Sequence, residues 1–228
     1  MKESDLIDHI QFPPIELSLF DKSTVLTRNE SCLLLYPNKK TFIYRILPQL
    51  QKYNSNTLVI SCMDNELMRN NYQNVIFADT FAQMIKILED LYNCDPESKF
   101  VSHVLDKEIK MILLHNVSAF YFDFQVLDQY NYTDLGFSKF NKNIPEEHYY
   151  KNLSYLIKKI NAKYNCLSVV TSYDYEFNCG LQGSYQYNPK DEYQKFTKMP
   201  STFVKSFDTA VHINKNQEIE MINKSQIV

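Results

Sequence analysis

Beyond residue 30 the chain alternates short apolar runs with polar turns and with longer stretches whose apolar residues recur every three or four positions. The runs are Ser31 to Tyr36, Thr57 to Met63, Asn74 to Phe77, Met111 to Leu114 and Leu167 to Thr171. Runs this short, continuous and bounded by turn residues predict strands covered on both faces, as in a parallel sheet. A helical pattern follows Asn38-Lys39-Lys40-Thr41 through Phe42, Ile46 and Leu50. A second begins after Asp79 or Thr80, either of which caps a helix carrying Phe81, Met84, Ile85, Leu88 and Tyr92. A third is predicted from about Glu146 to Tyr164, with Leu153, Leu156, Ile157 and Ile160 inward and Lys151, Lys158, Lys159 and Lys163 mostly in water.

The other segments lack a clear period. Residues 1–30 contain Pro13-Pro14 and an apolar cluster of Ile15, Leu17, Leu19 and Phe20, which predict an irregular arm ahead of a core domain over residues 31–228. Asn93 to Lys107, with Asp95-Pro96, reads as a loop. Gln125 to Pro145 and Tyr175 to Pro200 are long, glycine-containing connections of a kind that is functional or disordered in a compact domain. Thr202 to Ile213 returns to strand, and Glu218 to Ile222 completes a terminal hairpin across Asn214-Lys215-Asn216.

At 228 residues and 44% hydrophobic content, the chain suits one sizeable α/β domain. Three Gly beside 17 Tyr and 15 Phe leave few places for a backbone cradle around phosphate. A net charge of -3 and a pI near 6.0 exclude a surface that is basic throughout, so any nucleic-acid contact is local or shared. Cys32, Cys62, Cys94, Cys166 and Cys179 are widely spaced, which fits reduced thiols of the cytosol or nucleus better than disulfides or zinc. No stretch approaches the roughly 18 apolar residues of a membrane span, and a soluble intracellular protein is expected.

The strand at Met111 to Leu114 organises the candidate chemistry. Ligands of open α/β sheets lie beyond the carboxyl ends of the strands, which here places His115, Asn116 and Ser118 at the site. Nucleotide-hydrolysing proteins of this class use a carboxylate there to hold Mg²⁺, and an imidazole is a poor substitute for a hard, oxygen-seeking ion. Lys40-Thr41 match the end of a phosphate-binding loop, but Lys39 stands where glycine belongs and the turn is too short to wrap phosphates. His9, His103, His115, His148 and His212 show no ligand or triad spacing, so no catalytic residue, metal or cofactor is assigned. In the second long connection Lys190, Lys195 and Lys198 are interleaved with Tyr185 and Tyr187, and Lys205 follows. Such a mixture suits phosphate neutralisation with base stacking, although Glu176, Asp191 and Glu192 weaken the local field and leave an incidental polar loop open.

The strand at Met111 with its Asn116-Val-Ser-Ala-Phe-Tyr extension, and LSVVTS followed by a long loop and KMPSTFVKSFDTAVHI, resemble the eukaryotic paralogues of the RecA-family recombinases. The likeness is to the small, ATPase-domain-only subunits of the yeast Shu complex and their animal relatives, over roughly Ser31 to Val228. It implies a RecA-like, mainly parallel sheet flanked by helices, with degenerate nucleotide motifs and a C-terminal β-hairpin. Lys40 and Thr41 then match vestigial phosphate-loop positions, His115 the metal-binding acid, and Ser172 and Tyr173 the nucleotide-sensing strand end. The long loops at 125–145 and 175–200 match the DNA-facing loops. The resemblance further implies a nuclear, non-catalytic subunit that pairs with another recombinase paralogue, binds single-stranded or forked DNA and assists the recombinase filament. Two other readings compete. One is a working ATPase using Lys40 and Thr41 with an acid from elsewhere, Asp64 or Asp174; the other is a scaffold that never touches DNA.

Overall fold

A computed structural model describes residues 15–19, 22–63, 65–120, 146–175 and 191–224. Its centre is a seven-stranded sheet built from β3 (Ser31–Tyr36), β4 (Thr57–Ser61), β5 (Asn74–Phe77), β6 (Met111–His115), β7 (Leu167–Tyr173), β8 (Thr209–Ile213) and β9 (Ile219–Lys224). The spatial order is β5-β4-β6-β7-β3-β8-β9, parallel throughout except for the antiparallel β8–β9 hairpin. Register sets His115 beside Ser61, Tyr36 beside Tyr173 and Leu35 beside His212, so these residues share the carboxyl edge.

The sheet is covered on both faces, which is why its strands read as unbroken apolar runs. Leu33, Leu35, Ile112 and Leu114 pack with α4 (Phe81–Asn93), α5 (Glu146–Tyr164) and α6 (Ser201–Lys205). Leu34, Tyr36, Met111 and Leu113 face the opposite way, against the helical segment at 39–50 and α3 (Asn65–Asn71). That segment is α1 (Lys39–Thr41), a π-turn at Phe42–Ile46 and α2 (Leu47–Leu50). Pro48 has no N–H to give the Tyr44 carbonyl, and the ladder ahead of it widens so that Leu47 N–H donates to the Phe42 carbonyl. Thr80 caps α4 by accepting the Gln83 N–H at 3.1 Å, and Cys94 ends it at φ 52°.

Three expectations are corrected. Ile15–Leu19 and Lys22–Leu26 pair as antiparallel strands, β1 and β2, where an irregular arm was expected, because pairing the two short runs satisfies the N–H and C=O groups that extended backbone leaves open. The 93–107 connection carries a 3₁₀ turn, Ser102–Val104, because Val101 and Val104 bury into the core. Ser201–Lys205 is helix where strand was expected: Pro200 precedes its first turn, and Phe203 seats its ring 4.9 Å from Tyr150 of α5. No helix among the described residues is long and apolar enough to cross a membrane.

Candidate functional site at the carboxyl edge of the sheet

Between β3 and α1 only Pro37 and Asn38 intervene. Asn38 Oδ1 accepts both the Thr41 N–H, at 3.0 Å, and the Thr41 hydroxyl, at 3.3 Å. Thr41 Oγ1 in turn accepts from Gln217 Nε2 at 3.3 Å. Thr41 is buried, while Lys40 stands exposed at the start of the helical segment. The Thr41 N–H and hydroxyl, donors that would face a phosphate, are therefore committed to an asparagine cap.

His115 is only 4% exposed. Its ring lies 4.4 Å from that of Phe42, and its Nδ1 is 3.1 Å from Thr171 Oγ1. The same Thr171 oxygen accepts the Asn116 N–H at 3.0 Å. Asn116 holds φ 61°, a left-handed position asparagine tolerates, and its Oδ1 accepts from Ser118 Oγ at 2.6 Å. Ser118 Oγ accepts the Tyr173 N–H at 3.0 Å, so the polar residues singled out after the strand at Met111 form one linked network with β7. Ser172 turns away, its hydroxyl 3.9 Å from Met199 Sδ, and Tyr173 is the member of that pair that faces the edge. Above the network lies a cleft of about 240 Å³ walled by Tyr36, Phe42, Met63 and Tyr173, with Lys39 at its rim. The Tyr36 ring sits 5.0 Å from Tyr173 and 5.5 Å from Phe42.

Asp174 does not turn toward this cleft as a metal ligand. Its N–H donates to the Tyr36 carbonyl at 2.9 Å, and its Oδ2 lies 3.1 Å from His212 Nε2, strapping β7 across the end of β3 to β8. Asp64 lies outside the described residues. Among the described residues no cluster of three or more His, Cys, Asp or Glu side chains is placed to hold a metal. The thiols of Cys32, Cys62 and Cys166 are pushed up by burial, Cys166 to about 12.

The second long connection is fixed at its descending end. Phe196, Thr197 and Met199 are buried. Tyr175 N–H donates to the Phe196 carbonyl at 3.0 Å, and the Phe196 ring meets His212 edge-on at 5.3 Å. Asp191 Oδ1 accepts the N–H groups of Tyr193 and Gln194, capping the 3₁₀ turn Tyr193–Lys195. The Ser201 hydroxyl, those two N–H groups and Lys205 hold the Asp191 carboxyl below its usual value, against the opposing pull of burial. On this base Lys205 Nζ sits 4.7 Å over the Tyr193 ring and Lys195 Nζ sits 5.0 Å over Phe196. Lys198 is half-buried beside them.

Of the residues expected on DNA, Lys195, Lys198 and Lys205 thus belong to one ordered segment. Lys190, Tyr185, Tyr187 and the whole 125–145 loop lie outside the described residues. Sequence reasoning missed Tyr36, Phe42 and Met63 as cleft walls and Asp191 as the cap. The strand-ending Tyr36-Pro37-Asn38 was the available signal, since a bulky ring at the carboxyl end of a parallel strand faces the ligand edge.

A family model described as Shu complex component Psy3, DNA-binding description, matches residues 26–216. Among solved structures the chain is similar to the RadB recombinase, with a TM-score of 0.53 at 8% identity, over 87% of this chain and 82% of that one. No curated protein matches the chain. The structural likeness identifies the mainly parallel sheet with its flanking helices and terminal hairpin as the RecA-like fold. With its match running over most of the chain, this protein belongs to the family of Shu complex component Psy3.

Proposed function

We propose that this chain is a non-catalytic, nuclear subunit of a Shu-type complex that contacts DNA through the segment from Asp191 to Lys205. It pairs with a second recombinase paralogue and helps assemble or steady the recombinase filament on single-stranded or forked DNA. The observation that carries the DNA contact is the pair of lysine-over-ring contacts, Lys205 on Tyr193 and Lys195 on Phe196, held on a buried base. A lysine seated on an aromatic ring is held in place, and from there its ammonium group neutralises phosphate. The DNA-binding description of the family supports the same reading.

The residues at the edge argue against catalysis. A nucleoside triphosphate with Mg²⁺ does not fit them: His115 replaces the metal-holding acid, the Thr41 hydroxyl is spent on Asn38, and a two-residue turn leaves no cradle. Asp174, a candidate substitute, is tied to His212.

Fluorescence anisotropy with single-stranded and forked DNA across a salt series tests the reading, using the chain with its co-purified subunits. Replacing Lys195, Lys198 and Lys205 by Ala is expected to reduce the salt slope on single strands by about 2, at roughly 0.7 for each phosphate no longer neutralised. An unchanged slope removes the DNA contact from this segment and leaves the scaffold reading.

A further inference from the structure

We infer that the cleft at the carboxyl edge takes one unpaired base of a DNA strand, with Lys39 and Lys40 on the neighbouring phosphate. This rests on the DNA-binding reading above and adds to it a second, base-stacking contact away from Asp191–Lys205. Shape selects the occupant. Pockets that enclose a whole small-molecule ligand run to roughly 300–1,000 Å³. This one is about 240 Å³, which seats a single base and leaves an attached phosphate at the mouth.

The lining suits a base as well. Half-buried Tyr173 supplies the ring face and exposed Met63 the opposite wall, while Tyr36 and Phe42, each 1% exposed, close the floor with His115. The floor's polar atoms are engaged with one another: Asn116 Oδ1 with Ser118, Asn116 Nδ2 with Met63 Sδ, and His115 Nδ1 with Thr171. What the cleft offers a base is stacking, which tolerates any sequence.

Charge at the mouth favours a phosphate beside that base. Lys39 lines the cleft and Lys40, next to it in the chain, is exposed. Glu218, on the adjoining β8–β9 turn, is held by Asn214 Nδ2 at 2.7 Å. The cleft is also continuous with the lysine segment. Tyr173 walls the cleft, and two residues on the Tyr175 N–H holds Phe196, the seat of Lys195. That backbone link between the cleft wall and the lysine segment favours nucleic acid over an acidic peptide as occupant.

The test is a photocross-link and affinity series on the full chain with its co-purified subunits. Single-stranded oligothymidylate carrying one 5-iodouracil is expected to cross-link to Tyr173 or Met63. Tyr173→Leu is expected to weaken single-strand binding at least about fivefold while duplex affinity stays within about twofold, and Tyr173→Phe, which keeps the ring, is expected to retain binding. Replacing Lys39 and Lys40 by Ala lowers the single-strand salt slope by about 0.7, the share of the one phosphate they neutralise. Cross-links confined to residues 191–205, with Tyr173→Leu binding normally, overturn the cleft and leave the lysine segment standing. Displacement of the base by excess AMP makes the cleft a free-nucleotide pocket and also overturns the inference. Failure of the wild-type protein to bind any DNA overturns this contact together with the function it deepens.

Discussion

His115→Asp restores the carboxylate that a nucleotide-hydrolysing relative of this fold would carry, and the surroundings predict that it will damage the protein without creating a site. The position is 4% exposed and lies against the Phe42 ring at 4.4 Å, with the neutral Thr171 hydroxyl as its hydrogen-bond partner at 3.1 Å. An ionised carboxylate placed there is desolvated, so its folded pKa rises above the unfolded value of about 3.9. A rise of about two units costs about 2.7 kcal/mol at neutral pH, and removal of the ring pair adds about 0.5–1.5 kcal/mol. The Thr171 hydroxyl and the Asn116 N–H recover part of this, leaving a net loss of about 2–4 kcal/mol, or roughly 5–15 °C in Tm for a domain this size. The sign with pH follows from the raised folded pKa: the variant keeps its stability below about pH 4 and loses it as pH rises through the folded pKa. Differential scanning fluorimetry across pH, with and without Mg²⁺ and ATP, reads both effects. A nucleotide bound at a hundredfold excess over its Kd would return about 2.7 kcal/mol. A variant as stable as wild type, or one that Mg²⁺ and ATP stabilise, refutes the assignment of His115 as a packed edge residue.

Phe196→Ala removes no charge yet is expected to lower DNA affinity and the salt slope, because Lys195 loses its ring and the segment loses its anchor against His212. At an edge position this truncation costs about 2–3 kcal/mol, and hydrogen exchange should rise at residues 191–200; an unchanged slope would show that the lysines act without this seat. Asp90→Asn tests a structural pair on α4: burial raises this carboxyl, but Lys86 and Ser98 outweigh it and hold it below its usual value. Its stabilisation is thus present above the unfolded pKa and lost as pH falls through the lower folded one, so the Asn variant should melt earlier at neutral pH and converge with wild type in acid. Equal melting at both pH values would show that the pair contributes nothing to stability.

How far the sequence carried depended on whether the signal was local. Strands buried on both faces announced themselves as apolar runs, and β3, β5 and β6 begin where those runs begin. Helix α5 was legible from its inward stripe alone. Helix α3 was missed, since Met68 is the buried apolar residue of Asn65–Asn71 and there is no repeat from which to read a period. The site behaved likewise. The general rule for open sheets points to His115, Asn116 and Ser118, and Ser118 links Asn116 to Tyr173 of β7 there. The cleft walls come from β3, the π-turn and β7, whose ends are brought together only by strand order, so no single window of sequence could show them. The Asp174–His212 pair spans 38 positions across an intervening strand and is of the same kind.

On the non-catalytic reading, the geometry of the edge comes from hydrogen bonds within the chain. In a working member of such a fold, a bound triphosphate and its metal order the neighbouring loops and release them on hydrolysis. Here Thr171 joins His115 to Asn116, Ser118 joins Asn116 to Tyr173, and Tyr175 with Asp174 fixes the base of the lysine segment to β3 and β8. Each of these links is internal to the chain. The DNA surface should therefore be permanently set, and a ligand with no differential affinity for two states shifts neither. Titrations of single-stranded DNA with and without Mg²⁺ and ATP should superimpose. A change in Kd beyond about threefold corresponds to about 0.65 kcal/mol of coupling between the nucleotide and the DNA. Coupling of that size requires a nucleotide to be bound, and would return Lys40 and Thr41 from vestige to function.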